Sequence, residues 1–345
     1  MVKKGVRMSG PEAKFRRITA RAAARVDLAG GSLDLWPIGL IVGASSTVNV
    51  AISLAATVEL TRTREPGLSL VSEELGADYC WRPGSPPGPL PLVERLCSAC
   101  GVTDGWRVET RSDVPPGSGL GGSSAMSVAL LLALNAAARR ELADASAVAF
   151  CRDLEAANLR VPTGVQDFWP AFRGGVLSIR YEPGGDIVEN LPVSLKTLAS
   201  RLLVVYSGQS RLSAGTNWNL TKRFLDGDSE ALRHLKGIAD VAARVRKCLE
   251  AGDIDGVGPL MDEEWNHRRR LADGISTAAI EGLLSRARKA GALGGKACGA
   301  GGGGSLAFIV PEGARLDVEQ ALEREGARIL AAHPVERGHC LEIDP

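Results

Sequence analysis

Pro115-Pro116-Gly117-Ser118-Gly119-Leu120-Gly121-Gly122-Ser123-Ser124-Ala125 runs directly into Met126-Ser127-Val128-Ala129-Leu130-Leu131-Leu132-Ala133-Leu134-Asn135. The first stretch is a glycine-rich turn ending in two hydroxyls. The second is rich in strong helix formers and free of glycine and proline. Glycines let the main chain bend tightly and approach a ligand, and the N–H groups and positive dipole end of the following helix attract anions. The junction therefore reads as a phosphate cradle built from Pro116, Gly117, Ser118, Gly119, Leu120, Gly121, Gly122, Ser123 and Ser124. It is not a Walker loop, since no Gly-Lys-Ser/Thr follows the glycines. An ordinary strand-to-helix connection has a similar composition, so the company this stretch keeps decides its reading.

Two further segments supply that company. Arg25-Val26-Asp27-Leu28-Ala29-Gly30-Gly31-Ser32-Leu33-Asp34 lies near the N-terminus, and Lys296-Ala297-Cys298-Gly299-Ala300-Gly301-Gly302-Gly303-Gly304-Ser305 precedes the apolar run Leu306 to Val310. Three motifs in this order, from about Arg21 to about Val310, resemble the GHMP kinase superfamily of galactokinase, homoserine kinase, mevalonate kinase and phosphomevalonate kinase. Finer matches are similar to sugar kinases of the D-glycero-D-manno-heptose 7-phosphate kinase type. These are Ala29 to Asp34, Gly164-Val165-Gln166-Asp167, Ser207 to Arg211, Trp265 with Arg268-Arg269, and Gly291 to Lys296. His267-Arg268 and Phe168-Trp169 depart from that pattern.

The resemblance implies an α+β fold of two domains, ribosomal-S5-like over residues 16–195 and ferredoxin-like over 196–345, with the site in the cleft. It implies ATP and Mg²⁺, and transfer of phosphate to the anomeric hydroxyl of a sugar or sugar phosphate, with D-glycero-D-manno-heptose 7-phosphate as first choice. A galactokinase- or fucokinase-like enzyme acting on a free sugar stays open, as does a non-catalytic sensor of the same fold. A mevalonate- or homoserine-type kinase is disfavoured by the Gly-Gly-Ser-Leu-Asp motif.

Composition agrees. A chain of 345 residues, 45% hydrophobic, can bury a substantial core. With 41 basic against 40 acidic residues there is no bulk field to favour nucleic acid or an acidic membrane. No apolar run reaches the ~18 residues of a membrane span. Seven scattered cysteines make no disulfide framework and fit a reducing cytoplasm. Cys97-x-x-Cys100 has no second pair or nearby histidine, so these thiols read as the end of a helix over 92–100 rather than a zinc site. Residues 1–15 are basic, contain Gly and Pro, lack the core of a signal peptide, and read as a disordered leader. Oligomeric state is not indicated.

Along the chain, β-branched or alternating stretches predict strands at 18–29, 47–54, 57–63, 68–71 and 106–112. Residues 78–91, crowded with Pro and Gly, read as an irregular flap. Helices follow at 122–140 and 144–158, then strands at 175–181 and 202–206. Four amphipathic helices are predicted at 213–226, 229–251, 256–271 and 276–290, then strand 305–310, helix 316–325, and strands 327–332 and 339–343. Strands and helices are segregated, which is an α+β pattern.

Phosphoryl transfer needs an anion cradle, a divalent cation and a group that accepts the proton of the attacking hydroxyl. Mg²⁺ takes only one or two protein ligands. Ser124 and Glu155 match the family's metal positions; the plain alternatives are a helix N-cap and a solvated helix face. Asp167 precedes Phe168-Trp169-Pro170, so its carboxylate is set among apolar groups, which suits a general base. By the resemblance Arg25 lies close to it and keeps it ionised; the alternatives are a turn cap and a strand-surface arginine. Asp34, assisted by Ser32, is implied to accept hydrogen bonds from sugar hydroxyls, against an Asx-turn. Arg211, or the Arg268 to Arg270 run, has the guanidinium geometry to hold a substrate phosphate, although such a run is more often a solvated face. Gly301 and Gly302, in the third motif, are implied to lie against the phosphate loop and the substrate.

Overall fold

The computed structural model describes residues 15–210 and 214–345, so the leader reading, Phe15 aside, and Arg211 lie outside the described residues. Strands β1 (Arg17–Ala29) and β2 (Ser46–Arg62) pair antiparallel along most of their length and form the spine of the larger sheet. The sequence suggests two strands where β2 is one. The pairing shifts register between Ala23 and Ala24 of β1, and that irregularity lets β2 continue through Ala55-Ala56.

On the far side of β2 the sheet forks. Residues Ala56 to Arg62 pair with β5 (Trp106–Ser112), and Ser46 to Val50 pair with β6 (Val176–Glu182). Strands β3 (Leu68–Ser72) and β4 (Ala77–Trp81) extend the first branch and β7 (Gly185–Asn190) the second. The flap read over 78–91 is thus partly strand. Trp81 is buried opposite Leu68, and that cross-strand pair outweighs the neighbouring prolines and glycines.

One face of this sheet is covered by α2 (Pro91–Cys100), α3 (Gly122–Ala138), α4 (Asp144–Leu159) and the short α5 (Phe168–Arg173). Helix α3 is apolar nearly all round, and it packs on β1 and β2 while α2, α4 and α5 pack on it.

A second sheet has the order β11 (Arg328–Ile329), β8 (Leu202–Tyr206), β10 (Ser305–Ile309), β9 (Gly294–Ala297), all antiparallel. With its helices this is the βαββαβ order of a ferredoxin-like unit. Those helices are α7 (Ala214–Leu225), α8 (Ser229–Glu250), α9 (Val257–Arg268), α10 (Ala278–Lys289) and α11 (Arg315–Glu323). Asp228 caps α8 by accepting from Glu230 N and Ala231 N at 2.9 and 3.0 Å. Short α1 (Ile38–Val42) and α6 (Leu195–Arg201) complete the helices, and β12 (His339–Asp344) returns to pair with β1.

The fold is α+β. An apolar cluster that includes Val26, Leu28 and Val50 of the large sheet, Val204 and Ala307 of the small one, and Val241 and Met261 of the helices joins the two halves.

Candidate active site

Where β5 gives way to α3, residues 113–121 form the glycine-rich loop. Helix α3 starts with no side-chain cap and no acidic residue in its first turn, so Ser124 is not its N-cap; Gly121 holds that place. The N–H groups of that first turn open into a cavity of about 540 Å³ lined by Pro115 to Gly119, Gly121 to Ser124, Glu155, Asp34 and Asp167. Leu120 is the exception in the loop. Its side chain is buried in the core, while its carbonyl accepts from Arg25 N at 3.0 Å.

The third glycine motif buttresses this loop. Ser305 N donates to Ser118 O at 2.7 Å, and a Cβ placed at Gly119, where φ is +74°, would lie 2.5 Å from Cys298 O. Glycine is required at Gly119 by both conformation and space. Gly299 and Ala300 reach the cavity wall; Gly301 and Gly302 lie beyond it, Gly302 N donating to Ile275 O at 2.5 Å. The same cavity is also lined by apolar side chains, among them Leu75, Leu90, Leu92, Leu159 and Val161.

Arg25 and Asp167, 142 residues apart in sequence, meet here. Arg25 Nε and Nη2 donate to Asp167 Oδ1 at 2.8 and 2.6 Å, and Nη1 donates to Gly119 O at 2.5 Å. Arg25 is only 2% exposed, so it is not a strand-surface arginine. Burial opposes its charge, but the Asp167 and Asp27 carboxylates outweigh that and raise its pKa further. Asp167 begins α5 but makes no side-chain cap bond. Its carboxylate is given to Arg25 and the cavity.

Asp34 is half-buried, accepting from Gln166 N at 3.2 Å and Gln166 Nε2 at 3.1 Å. A Cβ at Gly164 would collide with its carboxylate, so the glycine makes room for it. Burial, then the charge of Asp167, push the Asp34 carboxyl up to about 7. Glu155 is buried and not on a solvated face, accepting from Ser123 Oγ at 3.1 Å. The hydroxyl bonded to Glu155 is thus that of Ser123; Ser124 lines the cavity beside it. Burial and the charges of Asp167 and Asp34 push Glu155 up to about 7 as well. Among the described residues no group of three His, Cys, Asp or Glu side chains is close enough to hold a metal by itself. Glu155 and the Ser124 hydroxyl line the same cavity and offer the one or two oxygen ligands that a Mg²⁺ held mainly by phosphates and water requires.

A group the sequence reading missed lies below. Asp27, Glu264 and Lys296 are fully buried and Arg268 is 2% exposed. Lys296 Nζ bonds Asp27 Oδ2 at 2.9 Å and lies 3.2 Å from Glu264 Oε1; Arg268 Nε bonds both Glu264 oxygens at 3.1 and 3.2 Å. Arg268 is therefore no part of a solvated face. In sequence these four residues look like ordinary charges spread over three elements, β1, α9 and β9. The one visible signal is the spacing of Glu264 and Arg268, four apart on one helix.

Models of known families match two segments: GHMP kinases N terminal domain over residues 90–175 and GHMP kinases C terminal over 245–328. The chain belongs to the GHMP kinases, a family of ATP-dependent phosphotransferases. Among individual relatives, it is 25% identical over 225 residues to D-glycero-alpha-D-manno-heptose 7-phosphate kinase of Campylobacter jejuni, covering 64% of this chain and 66% of that protein. It is 30% identical over 224 residues to mevalonate kinase of Methanothermobacter thermautotrophicus, covering 63% and 68%. The fold superposes on a D-glycero-D-manno-heptose 1-phosphate kinase from Bacteriodes thetaiotaomicron with a TM-score of 0.76 at 20% identity, covering 94% of this chain and 98% of that one.

Proposed function

We propose that this chain is an ATP- and Mg²⁺-dependent sugar kinase that phosphorylates an anomeric hydroxyl, with D-glycero-D-manno-heptose 7-phosphate as the first-choice acceptor. The observation that carries this reading is the end of the cavity where Asp34, held by Gln166, stands beside the Arg25–Asp167 pair. Carboxylates held in place there suit a polyol, whose hydroxyls donate to them, and repel an acid such as mevalonate. Among the described residues, the two arginines lining the cavity, Arg25 and Arg268, are both ion-paired.

In this reading the loop N–H groups and the α3 N-terminus bind the ATP phosphates, and the apolar part of the lining takes the base. Ser124 and Glu155 would hold Mg²⁺, which when bound neutralises charge on the phosphates. Asp167 accepts the proton of the attacking hydroxyl, and Arg25 orients Asp167 and stabilises charge on the reacting oxygens. Arg211 would hold the acceptor's remote phosphate. In this reading the enzyme works in a reducing cytoplasm, a location that its seven free cysteines suit.

The test is ADP release over free and phosphorylated sugars, with mevalonate and homoserine as controls. Preferential turnover of heptose 7-phosphate supports the full reading, preference for a free sugar leaves the broader one, and turnover of mevalonate alone rejects both.

A further inference from the structure

We propose that Arg268 is a positioning residue: its guanidinium, neutralised from below, fixes the loop 30–34 that carries Asp34 and ties it to the third glycine loop. The acceptor's identity rests on the sugar-kinase reading; the positioning does not.

Three observations carry this. Arg268 Nη1 lies 3.3 Å from Ser32 Oγ and 3.4 Å from Gly299 O, so one edge of the guanidinium reaches both loops at the cavity wall. Its other edge is held by Glu264 and lies 3.6 Å from Asp27 Oδ2. The loop rests directly on this ion cluster, since a Cβ at Gly31 would collide with both Asp27 Oδ2 and Arg268 Nη2. Ser32 also holds φ of +71°, a conformation a serine rarely keeps without outside support. The cluster joins β1, which carries Asp27 and Arg25 on the same face, to α9 and β9 of the other half. Its two acids and two bases balance, so Arg268 has no charge to spare for a substrate phosphate.

Replacing Arg268 alone strands buried carboxylates and endangers folding. The informative variant is therefore Glu264→Met with Arg268→Met, which removes a whole ion pair and leaves Asp27 and Lys296 to balance each other. Buried pairs exchanged for apolar residues of similar volume commonly keep their stability. If the double variant still melts well below wild type, Glu264→Gln with Arg268→Gln keeps polar groups in place and serves instead.

Two readouts follow. Hydrogen exchange of the peptide spanning residues 30–36 in the ligand-free protein is expected to quicken while that of α3 is unchanged. With heptose 7-phosphate, D-galactose and L-fucose as acceptors, kcat/KM for whichever is used is expected to fall about 10²-fold, while the KM for ATP moves by less than about twofold. Unchanged exchange at 30–36 in a folded variant overturns the proposal, as does an equal rise in the KM of both substrates. If no sugar is turned over by wild type, the sugar-kinase reading fails, and the exchange result alone decides the role of Arg268.

Discussion

Asp167 shows how little of a site is visible one residue at a time. The sequence places it before an apolar trio, and only the fold shows two of the three Arg25 guanidinium nitrogens on one of its oxygens. Replacing Asp167 by Asn keeps a partner for Arg25 but removes the proton acceptor. Turnover is expected to fall ~10²- to 10⁴-fold with nucleotide binding retained, and more than about a tenth of wild-type turnover would reject the assignment. Glu155 makes a different prediction. Its carboxyl and that of Asp34 are raised to about 7, so the native state holds protons that the unfolded chain has released. That stability is present below the ordinary carboxylate pKa and is lost as pH rises through about 7. His234, lowered by burial and then by Arg233, works the other way below its ordinary pKa. The measurement is therefore a difference: relative to wild type, Glu155→Gln should gain more in Tm at about pH 8 than at about pH 5. Equal Tm differences at both would mean that Glu155 is not held in a proton-retaining environment. The proposed metal role of Glu155 predicts that its replacement by Gln raises the Mg²⁺ concentration for half-maximal rate, and a folded variant with unchanged Mg²⁺ dependence would exclude it as a ligand.

Elements with long periodic runs were legible. β1, β5, α3, α4 and α8 fall within a few residues of the reading because an alternation or a helical stripe over many residues leaves one choice. β4, β7, β9 and α5 were not read. Length alone does not separate them, since β3, β8 and β10 are as short and were read from apolar or alternating runs. These four carry Asp, Gly or Pro within the segment, which breaks such a run, and the strands among them are stabilised by a partner distant in sequence or across a turn. The two glycine motifs were legible as loops, while their mutual contact, which belongs to neither segment alone, was implied only by the family resemblance and is made through Cys298 and Ser305 and not through Gly301 and Gly302. Gly119→Ala tests that contact. The added methyl meets Cys298 O and forces a non-glycine residue to positive φ. A loss of at least ~1 kcal/mol in stability is expected, with weaker ATP binding. Calorimetric titration with ATP and a thermal melt check both; full affinity in a destabilised protein would separate the loop's packing from its phosphate role.

In the whole molecule the first and last strands of the described residues are drawn together. β12 pairs with β1 from Arg17↔Asp344 to Ala22↔His339, and Ala23 N donates to Gly338 O at 2.7 Å. The C-terminal segment thus covers β1 and forms an edge of the sheet whose other strands precede residue 191. Sequence gives no hint of this, because β12 alternates like any half-exposed strand and its partner lies more than 300 residues away. Beyond Ala22 the course of β1 is set instead by β2, with Arg25 opposite Ala51. Deleting residues 339–345 should therefore uncouple stability from chemistry. An unpaired row of N–H and C=O groups would be left on β1, inviting association between molecules, while Arg25 keeps its place. A lower Tm and more aggregation on concentration are expected, with turnover per folded molecule at low temperature close to wild type. Melting, light scattering and initial rates on the monodisperse fraction measure all three. If that fraction has lost turnover, the position of Arg25 depends on both neighbours of β1, and the pairing with β12 is part of the active site's support.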